Sequence, residues 1–375
     1  MRIALVTNSV CPGSGQGRVN FEIARAAQQR GHEVVLVAST VDRQLASAPD
    51  VTWARIPVEH WPTRLLKDQV FAWRSTRWLR DHASRLDVVV GNGCNTWFVP
   101  DVNVVHFVHS AWKASPVHTA RVRRGPYAWY QWLYTTLNAR WEKRALEKTG
   151  TVVAVSEQVR AQLADAGIRR DATEVIHNGV DTSEFKPGPA NRSALGLPEN
   201  VPLALFVGEI RTPRKNLDTV LEALASVPSL HLAVVGDRDG SPYPRMAERI
   251  GVSDRVRFMG FRQDVPDLMR AADLFVFPSR YEACSLVLLE AMASGLPIVT
   301  AQTAGGAELV EDRFGRVLPD PNDEQALARA LRTLIDDPEQ LDQMARAARS
   351  AATHHTWSKM ADEYLTLFQR NLLDR

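Results

Sequence analysis

Glu282 and Glu290 stand eight positions apart within residues 278–297, PSRYEACSLVLLEAMASGLP. Two carboxylates so spaced can grip the vicinal hydroxyls of a sugar. A helix start between them would offer free backbone N–H groups to phosphate oxygens. A strand is expected to end at Ser279. A helix should then run from Ser285, as N-cap, to Ser294, where Gly295-Leu296-Pro297 closes it. Glu282 falls in the preceding loop, and Glu290 lies roughly 7.5 Å along the helix axis from the cap. Its neighbours at 286–289 and 291–293 are almost all apolar, and an unpaired carboxylate is costly to bury there. The alternative is a solvated helix stripe.

A second stretch, Gly208-Glu209-Ile210-Arg211-Thr212-Pro213-Arg214-Lys215-Asn216, follows an apolar strand. Its three cations at the carboxyl edge of a sheet suit a diphosphate, with Lys as a point charge and Arg as a fork. Taken alone they are equally well read as solvated loop charges. The third stretch is Gly13-Ser14-Gly15-Gln16-Gly17, between the first strand and first helix. As a dinucleotide fingerprint it fails, because Arg18 occupies the third glycine position and 38–40 offers no acid for a ribose. What remains is a flexible loop at a helix start, where α/β proteins bind ligands. Asp237-Arg238-Asp239 spells an acid-x-acid pattern that can hold a divalent metal. With Gly240 completing it, a simple turn is the better reading, and no required metal is expected.

The elements that must position these residues alternate between strand and helix periods. Strand-like runs fall at 3–7, 34–38, 51–56, 88–90, 102–108 and 152–155, with helical patterns at 19–30, 65–82 and 127–148. The pattern restarts at 203–207, 232–235, 256–259, 274–277 and 298–300, and ends in an amphipathic helix over 357–373. The turn-rich segment 178–200 reads as a linker. The fold class is therefore α/β, with two doubly wound parallel sheets and a cleft between. Domains are expected at 1–185, joined by a helix at 356–375 that crosses back, and at 190–355.

A length of 375 residues agrees with about two domains. No apolar run reaches eighteen residues, which excludes a transmembrane helix, and 3–6 is too short for a secretory signal. Cys11, Cys94 and Cys284 argue against a disulfide framework or a thiolate metal site. A cytoplasmic protein is expected. The net charge of +2 hides a division: residues 1–180 hold 23 Lys and Arg against 15 Asp and Glu, and residues 181–375 hold 22 against 28. Nine of the ten tryptophans lie in the first half. Within 112–148, eight basic residues and two acidic ones are interleaved with Trp112, Tyr127, Trp129, Tyr130, Trp132, Tyr134 and Trp141. That mixture suits an anionic membrane surface or phosphorylated glycolipid, stacking on a polysaccharide, or a packed helix with solvated cations. Arg121-Val122-Arg123-Arg124 has no nucleic-acid motif beside it.

Together these segments resemble the family 4 glycosyltransferases, retaining nucleotide-sugar enzymes with two facing Rossmann-like domains, the GT-B fold. The paired Glu282 and Glu290 followed by Ala-Met-Ala-Ser-Gly-Leu-Pro carry the likeness. Ile176-His177-Asn178-Gly179-Val180-Asp181, Val152-Val153-Ala154-Val155-Ser156-Glu157 and Gly305-Gly306-Ala307-Glu308 extend it over nearly the whole chain. The resemblance implies that Arg214 and Lys215 bind a donor diphosphate and that Glu290 binds ribose hydroxyls. Glu282 would contact the transferred sugar, with Ala283, Ser285 and Leu286 near the phosphates. Gly208, Gly15 and Gly17 would line the donor, and Gly260-Phe261-Arg262 would receive the nucleobase through main-chain groups. His109 matches a histidine near the transferred sugar; a satisfied core histidine is the alternative, and His106 is a rival. Two positions depart from the family pattern: Glu209 replaces a common Arg, and Ala283 and Ser285 replace common glycines.

By this resemblance His109, Glu282 and Lys215 form the catalytic set. The expected reaction moves a hexose, glucose as first choice, from a nucleoside diphosphate, UDP as first choice. The acceptor would be a hydroxyl of a glycan, glycolipid or cell-envelope polysaccharide precursor, with retained configuration and no metal or other cofactor. The other expectation is a GT-B relative that binds or epimerises a sugar nucleotide without transfer. Expected partners are the donor, the acceptor and an anionic membrane surface on the inner face of the cytoplasmic membrane, but not nucleic acid.

Overall fold

The computed structural model describes residues 1–13, 15–169 and 171–373. Ser14 of the glycine-rich stretch and the last two residues of the 356–375 segment lie outside the described residues. The chain divides into two units, Met1–Gly179 with the segment from Trp357 onward, and Val180–Thr356.

The first unit is built on β1 (Arg2–Val10), β2 (Glu33–Val41), β3 (Val51–Arg55), β4 (Val88–Asn92), β5 (Val102–Val105), β6 (Thr151–Ala154) and β7 (Thr173–Val175). They pair in the order β3-β2-β1-β4-β5-β6-β7, all parallel. Central strands such as β4, VVVGN, are buried along their whole length, as expected of a sheet covered on both faces. The second unit repeats the plan with β8 (Leu203–Val207), β9 (His231–Val235), β10 (Val256–Gly260), β11 (Leu274–Phe277), β12 (Ile298–Ala301) and β13 (Gly315–Leu318). Their order is β10-β9-β8-β11-β12-β13, again parallel. In each sheet the strand order reverses beside the first strand, between β1 and β4 and between β8 and β11. Ligands of such folds bind outside the carboxyl ends of the strands at these reversals.

Several expectations are corrected. The loop predicted at 13–17 is already helical from Gly15, because the Gly15–Gln29 helix starts four residues before its apolar periodicity does. The strand predicted over 102–108 stops at Val105, and a short helix, His109–Ala114, begins where it was to end. The strand expected to reach Ser279 stops at Phe277, where the apolar run 274–277 ends. The predicted linker contributes Val180, Phe185 and Leu197 to the second unit's core. Arg349 fastens it, donating to the Phe185 and Thr182 carbonyls at 2.9 and 3.1 Å. Edge strands β7 and β13 carried no clear signal, being only three and four residues long.

The last helix, Trp357–Leu373, packs in the first unit against Gly15–Gln29. Tyr364 and Phe368 are fully buried there. The Arg18 guanidinium lies 5.5 Å from the Trp357 ring centre, and Arg30 pairs with Asp362.

Candidate functional site

Two groups of chemistry-bearing side chains stand at the two sheet reversals, one in each unit. In the second unit, the turn after β8 carries Lys215 and the loop after β11 carries Glu282, and their side chains form an ion pair. Lys215 lies 5.0 Å over the Phe277 ring centre. Burial, then the neighbouring Arg214 cation, pulls the Lys215 ammonium well below the usual lysine range while Glu209 opposes them. The Glu282 carboxylate in contact with it favours the charged form. Arg214 is lowered too, by burial first, with Glu209 and Tyr281 opposing.

Three residues to which the resemblance assigns no role fix this pair. The Arg280 side chain donates to the Pro213 carbonyl at 2.8 Å and to both Asp218 oxygens at 2.9 and 2.7 Å. Its backbone N–H donates to the Arg214 carbonyl at 2.9 Å. Asn216, fully buried at φ 66°, donates to the Pro278 carbonyl at 2.9 Å and accepts from Thr219 at 2.7 Å. Asn tolerates this left-handed backbone better than most residues, and here it ties the lysine turn to the end of β11. At Gly305, any side chain would collide with the Ala283 carbonyl. Gly305 therefore lets its own backbone bond both ways, N–H to the Glu282 carbonyl at 2.9 Å and carbonyl from the Ser285 N–H at 2.8 Å.

The helix after this loop runs Leu286–Ala293 with Ser285 as N-cap. The Ser285 side chain makes no capping bond. Its hydroxyl is buried without a hydrogen-bond partner among the described residues, although the residue is only 4% exposed. A buried hydroxyl at a helix start with open N–H groups is chemistry for an anion. Ala283 is buried beside it, Leu286 is the first helical residue, and Glu290 is half-buried on the second turn.

Other expected residues have different surroundings from those imagined. Glu209 accepts from the Arg211 N–H and the Thr212 hydroxyl, both at 2.6 Å, and so braces its own loop. Arg211 is no spare cation, since it lies between Glu209 at 3.5 Å and Asp237 at 3.2 Å. Asp237 caps a turn by accepting from the Asp239 N–H at 3.2 Å. Gly208 packs against Phe277 and Lys215. Gly260 has φ 71° and its carbonyl accepts from the Gly236 N–H at 3.0 Å. Phe261 is 79% exposed. Arg262 is held by Asp264, Nε to Oδ1 at 2.7 Å; that bond raises the guanidinium pKa and lowers the carboxyl's. Among the described residues no cluster of three or more His, Cys, Asp or Glu is placed for a metal ion.

In the first unit, a cavity of about 300 Å³ opens at the β1/β4 reversal. His109 lines it and gives both its backbone N–H and Nδ1 to Glu142, each at 2.9 Å. Glu142 is 4% exposed on the Pro126–Leu146 helix. The basic run around Glu142 hides it from sequence inspection. His106, the rival, also lines the cavity, and burial lowers its pKa to about 4. It meets Asn92 Oδ1 through Nε2 at 3.0 Å. Gly15 is exposed and Gly17 buried in the first turn of their helix.

The family model described as Glycosyltransferase Family 4 matches residues 13–184, and that described as Glycosyl transferases group 1 matches residues 189–351. A protein of Mycolicibacterium smegmatis called D-inositol 3-phosphate glycosyltransferase is 30% identical over 290 residues, covering 74% of this chain and 65% of its own length. One of Catenulispora acidiphila, D-inositol 3-phosphate glycosyltransferase 2, is 34% identical over 237 residues, covering 58% and 54%. The chain thus spans less than two thirds of the length of these curated relatives. Among solved structures, sucrose-phosphate synthase from Thermosynechococcus elongatus superposes with a TM-score of 0.81 at 21% identity, covering 100% of both chains. Anabaena HepE in complex with UDP and glucose gives 0.71 at 24% identity, covering 98% of this chain and 99% of that one. At these identities the structural likeness speaks for the fold alone. With one family model on each parallel-sheet unit and the same fold in the solved structures, the chain belongs to the family 4 glycosyltransferases of the GT-B fold.

Proposed function

We propose that the chain transfers a hexose from a nucleoside diphosphate sugar to an acceptor hydroxyl with retention of anomeric configuration and without a metal. UDP-glucose is the first donor to try. The observation that carries this reading is the Lys215–Glu282 pair beside the start of the Leu286–Ala293 helix, with the partnerless Ser285 hydroxyl at its cap. A diphosphate entering there meets a desolvated ammonium and open N–H groups, and Lys215 then exchanges its carboxylate partner for phosphate. Glu282 is released toward the transferred sugar, and Glu290 takes the ribose hydroxyls.

In the reaction the acceptor oxygen bonds to the anomeric carbon as the bond from that carbon to the phosphate oxygen breaks. Departure is on the face of attack, and the leaving phosphate takes the acceptor proton. Charge gathers on the diphosphate, where Lys215, Arg214 and the helix start stabilise it electrostatically. His109, oriented by Glu142, serves the reacting sugar. The complexes of Anabaena HepE with UDP and glucose support the choice of donor by kinship of fold.

The acceptor is a glycan, glycolipid or cell-envelope polysaccharide precursor. Tyr127, Trp129, Trp132 and Leu133 are 53%, 73%, 44% and 45% exposed on the Pro126–Leu146 helix. Lys113 lies over Trp132 and Arg123 over Tyr127, at 5.3 and 6.0 Å from the ring centres. Exposed aromatics among cations favour the rim of an anionic membrane, and peripheral contact with such a surface is part of this reading. No helix among the described residues is long and apolar enough to cross a membrane.

The deciding experiment is a thermal-shift screen of UDP, GDP and ADP sugars, followed by assay of released nucleotide with acceptor present and absent. Stabilisation by one nucleotide sugar and acceptor-dependent release support transfer. Stabilisation followed by conversion of the donor sugar into its epimer, with no release, would replace it by the epimerase reading.

A further inference from the structure

The cavity of the first unit has a chemical character of its own, and resting on the reading above, it specifies the acceptor. Its charged lining consists of two carboxylates, Asp68 and Glu142, one guanidinium, Arg64, and the His109 imidazole. His106, the other histidine, is held neutral by burial. In neither protonation state of His109 does the lining carry net positive charge. The one permanent cation is already engaged: Arg64 Nε lies 3.0 and 3.2 Å from the two Asp68 oxygens. Asp68 also accepts from the Tyr134 hydroxyl at 2.8 Å. Burial raises the Cys94 thiol and Tyr134 phenol pKa values; the negative charge of Asp68 adds to both, and that of Glu142 adds to Cys94. Anions are therefore disfavoured inside.

The remaining polar lining is neutral, and part of it is already paired: Asn92 bonds Asn20 and the Val6 carbonyl, Gln131 donates to the Tyr127 hydroxyl and Asn138 to the Tyr134 carbonyl. Six side-chain amides line the cavity: Asn8, Gln16, Asn92, Asn95, Gln131 and Asn138. Amides donate and accept at once, as recognition of a polyol requires. Phe107 and Trp112 add aromatic faces, against which the C–H face of a sugar ring packs. A volume of about 300 Å³ sits at the small end of ligand sites, suited to one ring.

We infer that this cavity takes an uncharged polyhydroxylated ring of the acceptor, a sugar or cyclitol without phosphate, and that Asp68 enforces the exclusion by occupying Arg64. A phosphate drawn to Arg64 at the rim would have to lie beside the Asp68 carboxylate. Replacing Asp68 by Asn keeps an acceptor for Tyr134 and frees the guanidinium.

Calorimetric binding, with no donor present, tests this on the wild-type chain with paired probes: glucose and glucose 6-phosphate, and myo-inositol and its 3-phosphate. Each neutral probe is expected to bind at least tenfold more tightly than its phosphorylated partner. Asp68→Asn should shrink that ratio at least fivefold by gaining affinity for the phosphorylated probe. Equal binding, preference for the phosphorylated probes, or no binding of either neutral probe to the wild type overturns the inference whatever the variant does. Should Asp68→Asn unfold, Arg64→Met replaces it: removal of a masked cation leaves the ratio within twofold, whereas a collapse of phosphorylated-probe binding shows Arg64 to be a phosphate ligand and overturns the inference. Because donor binding is measured separately with UDP sugars, failure here is distinguishable from failure of the transferase reading.

Discussion

Glu142 accepts both the backbone N–H and Nδ1 of His109, at 2.9 Å each. A carboxylate acceptor places the ring proton on Nδ1 and leaves Nε2 for whatever the cavity holds. Glu142→Gln keeps the shape but weakens this choice of tautomer. Turnover should fall roughly tenfold to a hundredfold, on the scale of residues that orient a functional histidine, with KM for the donor changed less than twofold. Steady-state kinetics checks this split; a change confined to donor KM would assign Glu142 elsewhere.

Lys215 and Glu282 are coupled, and breaking a buried pair from one side is costly. Lys215→Met should lower stability by about 3 kcal/mol and weaken UDP binding at least tenfold. Adding Glu282→Gln should restore most of the stability, because the stranded carboxylate is gone, and none of the binding. Urea unfolding and calorimetry on the two single variants and the double variant read the coupling. Additive stability losses would mean the two side chains do not interact.

In the proposed reaction, electrostatic stabilisation by Lys215, Arg214 and the helix start takes the place of a divalent ion. Activity on the donor found in the screen should persist in excess EDTA and rise less than twofold with added manganese. Complete loss in EDTA, restored by manganese, would move attention to Asp237 and Asp239.

The exposed aromatics and the cations of residues 121–133 should drive reversible binding to vesicles containing phosphatidylglycerol, and not to pure phosphatidylcholine. Replacing Arg123 and Arg124 by Ala removes two charges worth about 1 kcal/mol each near an anionic surface. Affinity should drop roughly thirtyfold at low salt, as read by vesicle sedimentation. Equal binding to both vesicle types would remove the membrane surface from the proposed function.

His106 carries a pH signature. Its folded pKa is near 4, lowered by burial from the ordinary 6.5. Between those values the unfolded chain binds more protons, so stability is full above about pH 6.5 and is lost as pH falls toward 4, by on the order of 3 kcal/mol. His118 and His231 are lowered in the same direction, by burial first. His106→Gln, which keeps an N–H for Asn92, should flatten the acid limb of a urea-midpoint series. An unchanged slope would show that His106 does not supply it.

Local chemistry was legible in the residues. Periodicity located most of the strands and the full extent of the Trp357–Leu373 helix, because parallel strands buried on both faces must be continuous apolar runs. The glutamate pair and the lysine turn were visible as carboxylates and cations in the segments that follow apolar strands, whereas His109 was marked only by the family resemblance. Element ends were less legible: Gly15 and Gly17 carry no helical signal, yet the turn they occupy is helical. The segment around Phe185 looked like a linker because its prolines and glycines mark turns, and turns can be packed as firmly as helices.

Partnership between distant residues was decided only by the tertiary structure. In sequence Glu209 is a carboxylate beside a cationic turn; in the fold both its oxygens are spent on Arg211 and Thr212. Arg280 and Asn216 are ordinary polar residues until the β8/β11 reversal brings the two loops together. Asp68 lies on the Arg64–His82 helix, far in the chain from the Pro126–Leu146 helix that carries Tyr134 and Glu142, and β4 and β5 gather the cavity that they line. The residue order determines which strands and helices form, because burial and hydrogen bonding act locally along the chain. Charge inside a cavity depends on which side chains share it, and that is fixed only when the sheet closes over them.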